Sequence, residues 1–462
     1  MEQLKENKLM RTVLIAAAIL FAAVFCLYAF FRAETVTGLI AAGASLLLFA
    51  TVCIHTFDAC RRAVTEPGLP SPDASLGRRS LRFDKRHPWL RILLFMVFTR
   101  LVLFAAGYAF SAGEVYEGGI LDTMRTAWLR TDSPSYLGIA ENWYVTEGDP
   151  RFHIVFFPLY PIFIRLFNFL TGDSFASAMV VSNLCAMVSA ILVYEVAALD
   201  HDRETALRAV KFTFLSPAAF FFAAPMTESL FLTCCLAAVL CVRKKKHLFG
   251  CLFAALAAFT RSLGALLLAF VFIEWLQDVL EARRLETLKE NRKPFTLRFL
   301  CMFLVPLGLL GYIYINYAVT GDPFRFMQYQ REHWNQGFGL FFETAAYQTD
   351  YLLSTFAEGD LRQAFGLWLP NLIMSFGALI LMIPAAKRLR PSYSVFFIAY
   401  FVIAIGATWL LSAPRYLAAC FPLGIALAAL ADTKRKDAAF TLVSFLMLCA
   451  YLAMYVNGWP VY

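Results

Sequence analysis

Apolar runs long enough to form helices recur along almost the whole chain, separated by short polar breaks. About 20 apolar residues in a helix cross a hydrocarbon core of about 30 Å. Candidate spans lie near 10–31, 36–57, 90–110, 176–199, 209–225, 228–242, 248–260, 263–280, 297–318, 366–386, 393–411, 415–431 and 438–456. The runs lack the strict alternation of lipid-facing barrel strands. The pattern therefore predicts an all-α, polytopic transmembrane protein with about 11–13 spans. Thr260, Arg261 and Ser262 interrupt the stretch 248–280, which is either one broken helix or two short ones. The segment FFPLYPIFIRLFNFL, 156–170, is apolar but breaks the parity of crossings. Its prolines and Arg165 suit a helix at the interface or dipping into the protein. The first run lacks a small-residue cleavage site and reads as a signal anchor.

Composition agrees. Hydrophobic residues make up 60% of the chain and charged residues 16%. Soluble domains are nearer 45–50% and about 25%. The net charge of +8 does not point to nucleic acid, because the basic residues form short clusters in loops. They lie before the first span, in the linker 59–88, at 243–246, 281–293, 387–390 and 434–436. By the positive-inside rule these loops face the cytoplasm. The polar loops 111–153 and 319–365 then share the extracytoplasmic face, together with Glu228, Arg261 and Arg415. The linker divides the chain into two accessory helices (1–58), a basic cytoplasmic segment (59–88) and a transmembrane body (89–462). The 11 cysteines are scattered among apolar residues without metal-ligand spacing.

Few residues on the extracytoplasmic side are suited to chemistry. Asp132 opens the stretch DSPSYLGIAENWY, where it is either an ordinary N-cap ahead of Pro134 or a functional carboxylate. Arg261 and Arg415 are cations flanked by apolar sequence, which is costly without a partner. Two such guanidiniums on one face suit a phosphate. Glu228 begins the run after PMT, with Thr227 or Ser229 available as caps. His153 is a neutral hydrogen-bonding candidate. The loop 320–339 carries Gln328, Gln330, His333, Trp334 and Asn335, an amide and aromatic surface that suits either carbohydrate or a membrane interface.

Taken in order, TDSPSYLGIAENWY, HIVFFPLYPIFIRLF, MTESLFL, AFTRSLGALL, GDPFRFMQYQREHW and APRYLAACFP resemble the membrane mannosyltransferases that include the enzyme adding the second mannose to GPI anchors, and their bacterial relatives, within the GT-C class. The resemblance runs over about residues 90 to 425. It implies a polyprenyl- or dolichyl-phosphate sugar donor, hexose transfer with inversion at the extracytoplasmic face, and no metal or other cofactor. Asp132 is then the general base, although Thr131 stands where the family often has an aromatic residue. Arg261 and Arg415, with the adjacent Tyr416, would face the donor phosphate. Glu228 and His153 would orient those groups, and Gln330 and Trp334 would contact sugar. The implied partners are the bilayer, the lipid-linked donor and a glycan, glycolipid or other hydroxyl acceptor, with a protein partner left open. Two other readings compete: a lipid or sugar transporter, and a non-catalytic subunit of another membrane enzyme.

Overall fold

The computed structural model of the chain describes residues 2–32, 34–65, 88–111, 119–409 and 411–462. Among these residues there is no β-strand, only an isolated bridge between Phe338 and Ala407. The helices are α1 (Glu2–Phe31), α2 (Val36–Thr65), α3 (Trp89–Ser111), α4 (Ile120–Trp128), α5 (Ser133–Asn142), α6 (Leu159–Thr171), α7 (Ser174–Ala197), α8 (Arg203–Phe214), α9 (Glu228–Arg243) and α10 (His247–Thr260). They continue as α11 (Leu267–Arg284), α12 (Arg292–Cys301), α13 (Leu307–Thr320), α14 (Arg325–Trp334), α15 (Phe341–Glu358), α16 (Leu369–Ala385), α17 (Pro391–Ile405), α18 (Ala413–Ala418), α19 (Phe421–Leu430) and α20 (Lys434–Val456).

Eight helical segments among the described residues are long and apolar enough to cross a membrane. A ninth is available if the bent pair 149–155 and 159–171 counts as one span. The remaining expected spans appear as shorter apolar helices, α10, α17 and α19, as the 16-residue α9, or as broken ones. The expected run 209–225 is such a case. Helix α8 stops at Phe214, where Ser216 and Pro217 follow, and the chain proceeds through a 3-10 turn at Ala219–Phe222. Proline removes a donor and blocks the preceding turn of helix. The apolar residues instead form core: Phe220, Phe221 and Phe222 are fully buried. The segment 156–170 is as unusual as its prolines imply, since α6 leaves the preceding 3-10 turn (Asp149–Val155) at 112°. The molecule's outer surface is correspondingly apolar, with Phe30 and Phe169 among the side chains left exposed, as lipid-facing positions require.

The two N-terminal helices are not detached. Helix α2 packs along α15 and touches α16 and α17. The hydroxyls of Thr35 and Thr37 donate to the Asp350 carboxylate at 2.7 and 2.6 Å. Of the basic linker, residues 66–87 lie outside the described residues.

Helix α9 organises the body. It packs against α7 and α10, and at about 1.5 Å per residue its 16 residues cover roughly 24 Å. Each end carries a buried ionic network. At the Arg243 end, the guanidinium grips Asp200 through two bonds of 2.6 and 2.7 Å and donates to the Tyr393 hydroxyl at 2.6 Å. Arg390 grips Glu274 at 2.6 and 3.0 Å, and the Ser392 hydroxyl donates to the same carboxylate at 2.6 Å. Two charged layers separated by an apolar span are what a bilayer imposes on such a bundle. Glu274 is only 1% exposed, so Glu274→Ala strips the half-buried Arg390 of its carboxylate and removes the 3.7 Å ion pair to Arg243, which keeps Asp200. We expect a loss of about 3–5 kcal/mol of stability, read as a lower thermal midpoint in detergent with the site at the other end of α9 unaltered in geometry.

Candidate active site

The opposite end of α9 gathers four charged residues from four separate stretches, each at a point where a helix starts or breaks. Glu228 is the first residue of α9 and is almost fully buried. A carboxylate there is favoured by the helix dipole. Thr227 occupies the cap position without a side-chain cap bond, and the Ser229 hydroxyl bonds back to the Phe222 carbonyl at 2.7 Å.

Arg261 sits in extended backbone between α10 and the 3-10 turn Ser262–Leu266. That turn is possible because Gly264 presses on the end of α10: a Cβ at Gly264 would lie 2.2 Å from the Ala257 carbonyl carbon. Gly264→Ala therefore forces a backbone shift. It should cost about 1–3 kcal/mol and displace Arg261, so that the thermal midpoint and turnover fall together.

Arg415 lies in the short helix α18, which begins after Ser412 with Ala413 and Pro414. The Ala413 N–H donates to the buried Asn371 side chain at 2.8 Å, fixing α18 against α16. Asp132 stands at the N-cap of α5, with Pro134 in the first turn, but its side chain makes no capping bond. The carboxylate points to Arg415 instead. Preceding it, Thr131 has φ 56°, a left-handed conformation that is costly for a β-branched residue.

The four side chains form one chain of contacts. Arg415 Nη1 donates to Asp132 Oδ2 at 2.7 Å. Arg415 Nε lies 3.2 Å from Glu228 Oε1 as an ion pair, although misaligned for a hydrogen bond. Arg261 Nη1 donates to the same Oε1 at 2.6 Å. The Tyr416 ring sits under both cations, 4.6 Å from the Arg261 guanidinium carbon and 5.5 Å from that of Arg415, which supports them through cation–π attraction. Exposure falls along the chain, from Asp132 at 26% of its side chain to Arg415 at 7% and Glu228 at 1%. Burial by itself works against the Arg415 charge. Asp132 and then Glu228 outweigh it and hold its pKa well above the usual guanidinium value. With two acids and two cations, the set is formally neutral. Glu228 Oε2 is buried with no partner among the described residues.

His153 and Trp334 are brought together elsewhere. They belong to an aromatic cluster in which Phe152 stacks on His333 with centroids 4.4 Å apart, and both His153 and Trp334 stand edge-on to Phe156, Trp334 at 5.9 Å. His153 faces Phe156 and the Gly138 backbone, and Gln330 donates to Gln336 at 3.3 Å. This cluster reaches the ionic set through Tyr136, whose ring is 5.2 Å from Phe156 and 5.4 Å from Tyr160. Tyr136 was not among the sequence candidates. It is four residues past Asp132 on α5, on the same helical face, and that spacing was the available signal. Desolvation by burial, then the charge of Asp132, raise its hydroxyl pKa far above the ordinary value, so it is a neutral neighbour of the ionic set.

The fold and site define a multi-pass helical membrane protein with a buried ionic centre at one end of its bundle. Residues 156–308 match the family described as dolichyl-phosphate-mannose-protein mannosyltransferase. The matched stretch contains Glu228 and Arg261 but neither Asp132 nor Arg415. No curated protein matches the chain. Among solved structures, the crystal structure of ArnT from Cupriavidus metallidurans bound to undecaprenyl phosphate is similar, at 16% identity and a TM-score of 0.44. The similarity covers 76% of this chain and 62% of that one, so the chain spans less than two thirds of that protein's length.

Proposed function

We propose that the protein is a membrane glycosyltransferase that transfers a hexose, mannose in the reading favoured here, from a polyprenyl-phosphate carrier to an acceptor hydroxyl. The observation that carries this reading is the convergence of Asp132, Arg415, Glu228 and Arg261 from distant parts of the chain into one partly open ionic site. The match of residues 156–308 to a mannosyltransferase family supports it independently. The basic runs 243–246 and 387–390 supply Lys245 and Arg390 to the ion pairs at the Arg243 end of α9, and by the positive-inside rule this supports an extracytoplasmic position for the site at the other end.

A glycosyl phosphate carries its own leaving group. The site must make the acceptor oxygen nucleophilic and stabilise the departing phosphate. Arg415 holds the Asp132 carboxylate at 2.7 Å, so one of the oxygens that would accept the hydroxyl proton is occupied by the cation. A donor phosphate competes with Asp132 for Arg415, and Arg261 is close enough to Glu228 to share it. Asp132 is then released toward the acceptor. Its carboxylate takes the hydroxyl proton as the acceptor oxygen bonds to the anomeric carbon. The anomeric C–O bond to phosphate breaks on the opposite side, with inversion, and the bonding pair leaves with the polyprenyl phosphate. Developing charge on that phosphate falls on preorganised cations in a site with little water, where electrostatic stabilisation is strongest. No step in this scheme uses a metal.

The direct test reconstitutes the full chain in liposomes with radiolabelled polyprenyl-phosphate mannose and a membrane extract as acceptor source. Release of polyprenyl phosphate together with label in a new glycan is the expected result. Movement of label across the bilayer with the donor intact would instead establish a transporter.

A further inference from the structure

A cavity of about 880 Å³ opens between the α4–α5 turn, the residues 360–368 that lead into α16, the segment before α18 and residues 458–462. Its wall includes Arg130 and Thr131, which precede Asp132, and Pro134, which follows it. Three features show that it is built rather than left over.

The first is aromatic. Trp409 is edge-on to Tyr351 at 5.4 Å and to Trp368 at 5.8 Å, and Tyr351 stacks on Trp368 at 4.9 Å with planes 17° apart. The Trp368 Nε1 donor is buried with no acceptor among the described residues.

The second is backbone strain. Thr131 and Trp409 both line the cavity, and both have positive φ, 56° and 54°. Neither directly follows a helix end, unlike Trp143 and Asn335. The Trp409 conformation is held by a clamp: the Gly339 N–H donates to the Gly406 carbonyl at 2.7 Å, and the Thr408 N–H to the Gly337 carbonyl at 2.9 Å. Strain of this kind persists where the surroundings over-determine it, and it clusters at functional sites.

The third is charge. Arg130 donates to the Val456 carbonyl at 2.7 Å and Arg362 to the Gly458 carbonyl at 3.2 Å, so two guanidiniums converge on one turn of the C-terminal segment. Each keeps further donors. Asp360 also lines the cavity, and its carboxylate accepts from the Gln363 N–H at 3.0 Å.

We propose that this cavity is the acceptor site and that it takes a saccharide carrying an anionic group, with its sugar ring against Trp409 and Tyr351 and its anion against Arg362 and Arg130. Indole and phenol rings suit the apolar faces of sugars, and a planar guanidinium suits phosphate or carboxylate. Thr131 and Pro134, which flank Asp132 in the chain, line the cavity, so an acceptor bound there lies within one turn of the proposed base, and the acceptor role rests on the glycosyltransferase reading. The binding preference does not. The anionic sugar could belong to a lipid headgroup or to a free glycan, which share the recognised chemistry.

The test measures binding without turnover. The full chain in nanodiscs is titrated with mannose 6-phosphate and, separately, with neutral methyl α-mannoside, following intrinsic tryptophan fluorescence. Nanodiscs doped with a mannosylated phosphatidylinositol form the lipid arm. We expect the phosphorylated sugar, or the lipid-borne one, to bind about 10-fold more tightly than the neutral one, the size of one charge-assisted hydrogen bond. Arg362→Gln, at an exposed position, should remove the preference, and Trp409→Phe should retain more binding than Trp409→Ala. Response in the lipid arm alone identifies a lipid headgroup, and response to the soluble sugar identifies a free glycan. Equal affinity for charged and neutral sugars, no response in either arm, or a preference that survives Arg362→Gln would overturn the proposal. Anion-selective binding without any transfer would leave this site standing and sink the glycosyltransferase reading. Transfer without anion selectivity would do the reverse.

Discussion

Asp132→Asn should lower turnover by about 10²–10⁴-fold, the usual contribution of a positioned general base, while the protein still inserts and folds. The substitution keeps size and shape. It removes the only acid in the ionic set that is open enough to meet an acceptor, since Glu228 is sealed at 1% exposure. Arg415 retains its ion pair with Glu228 at 3.2 Å, so the buried guanidinium is not left alone and the thermal midpoint should change little. The measurement is the single-turnover rate of sugar transfer at saturating donor, with the midpoint recorded in parallel. A loss below about 10-fold would remove Asp132 from the base role.

Arg415→Ala should be equally damaging for a different reason. It leaves Asp132 and Glu228 with only Arg261 between them, so the set changes from neutral to a net charge of −1. A donor phosphate then meets an acidic site without its central cation. Loss of one preorganised electrostatic donor typically costs 10²–10³-fold, and here it should appear in both the donor KM and the rate. Stability should fall as well, because a buried acid loses a partner. Arg415→Lys separates the two effects. A lysine keeps the charge but cannot present a planar fork to Asp132 and Glu228 together. It should restore the midpoint more fully than the turnover.

The pH dependence follows from the same geometry. The Arg415 pKa is held well above its ordinary value by Asp132 and Glu228. A raised pKa of this sign means that the charge, and the stability it brings, are present below that value and are lost only as pH rises through it. Arg415 therefore stays cationic across the working range, and an alkaline fall in activity would have to come from another group.

Much of this arrangement was legible in the chain. The apolar runs and basic clusters gave a helical membrane bundle with its charges in layers, because the bilayer leaves few alternatives. Asp132, Glu228, Arg261 and Arg415 were visible as charges at helix breaks, and Tyr416 came with Arg415. Their mutual neutralisation was not visible. Two arginines in apolar sequence read as cations in need of a partner and suited to phosphate, and only the three-dimensional contacts show which acid each one takes. Asp132 also looked like a helix cap, since a residue before Ser133 and Pro134 ordinarily is one, and its side chain turns away from that role. His153 and Trp334 were read as individual contacts, whereas the bend at 149–159 gathers them into one aromatic cluster around Phe152 and Phe156, and Gln330 bonds to Gln336 instead. The cavity beside Asp132 left almost no trace, because its walls come from residues 130, 362, 409 and 459, which no local pattern connects. The run 209–225 misled because a buried polyphenylalanine turn and a membrane span have the same composition.

In the proposed mechanism a lipid phosphate takes Arg415 away from Asp132. The most direct measurement is a structure of the full chain in nanodiscs with polyprenyl phosphate bound, resolving the phosphorus and the Asp132 carboxylate. We expect phosphate oxygens in hydrogen-bond contact with Arg415, and Asp132 no longer paired with it. Phosphate bound elsewhere, with the 2.7 Å contact between Arg415 and Asp132 intact, would contradict that mechanism.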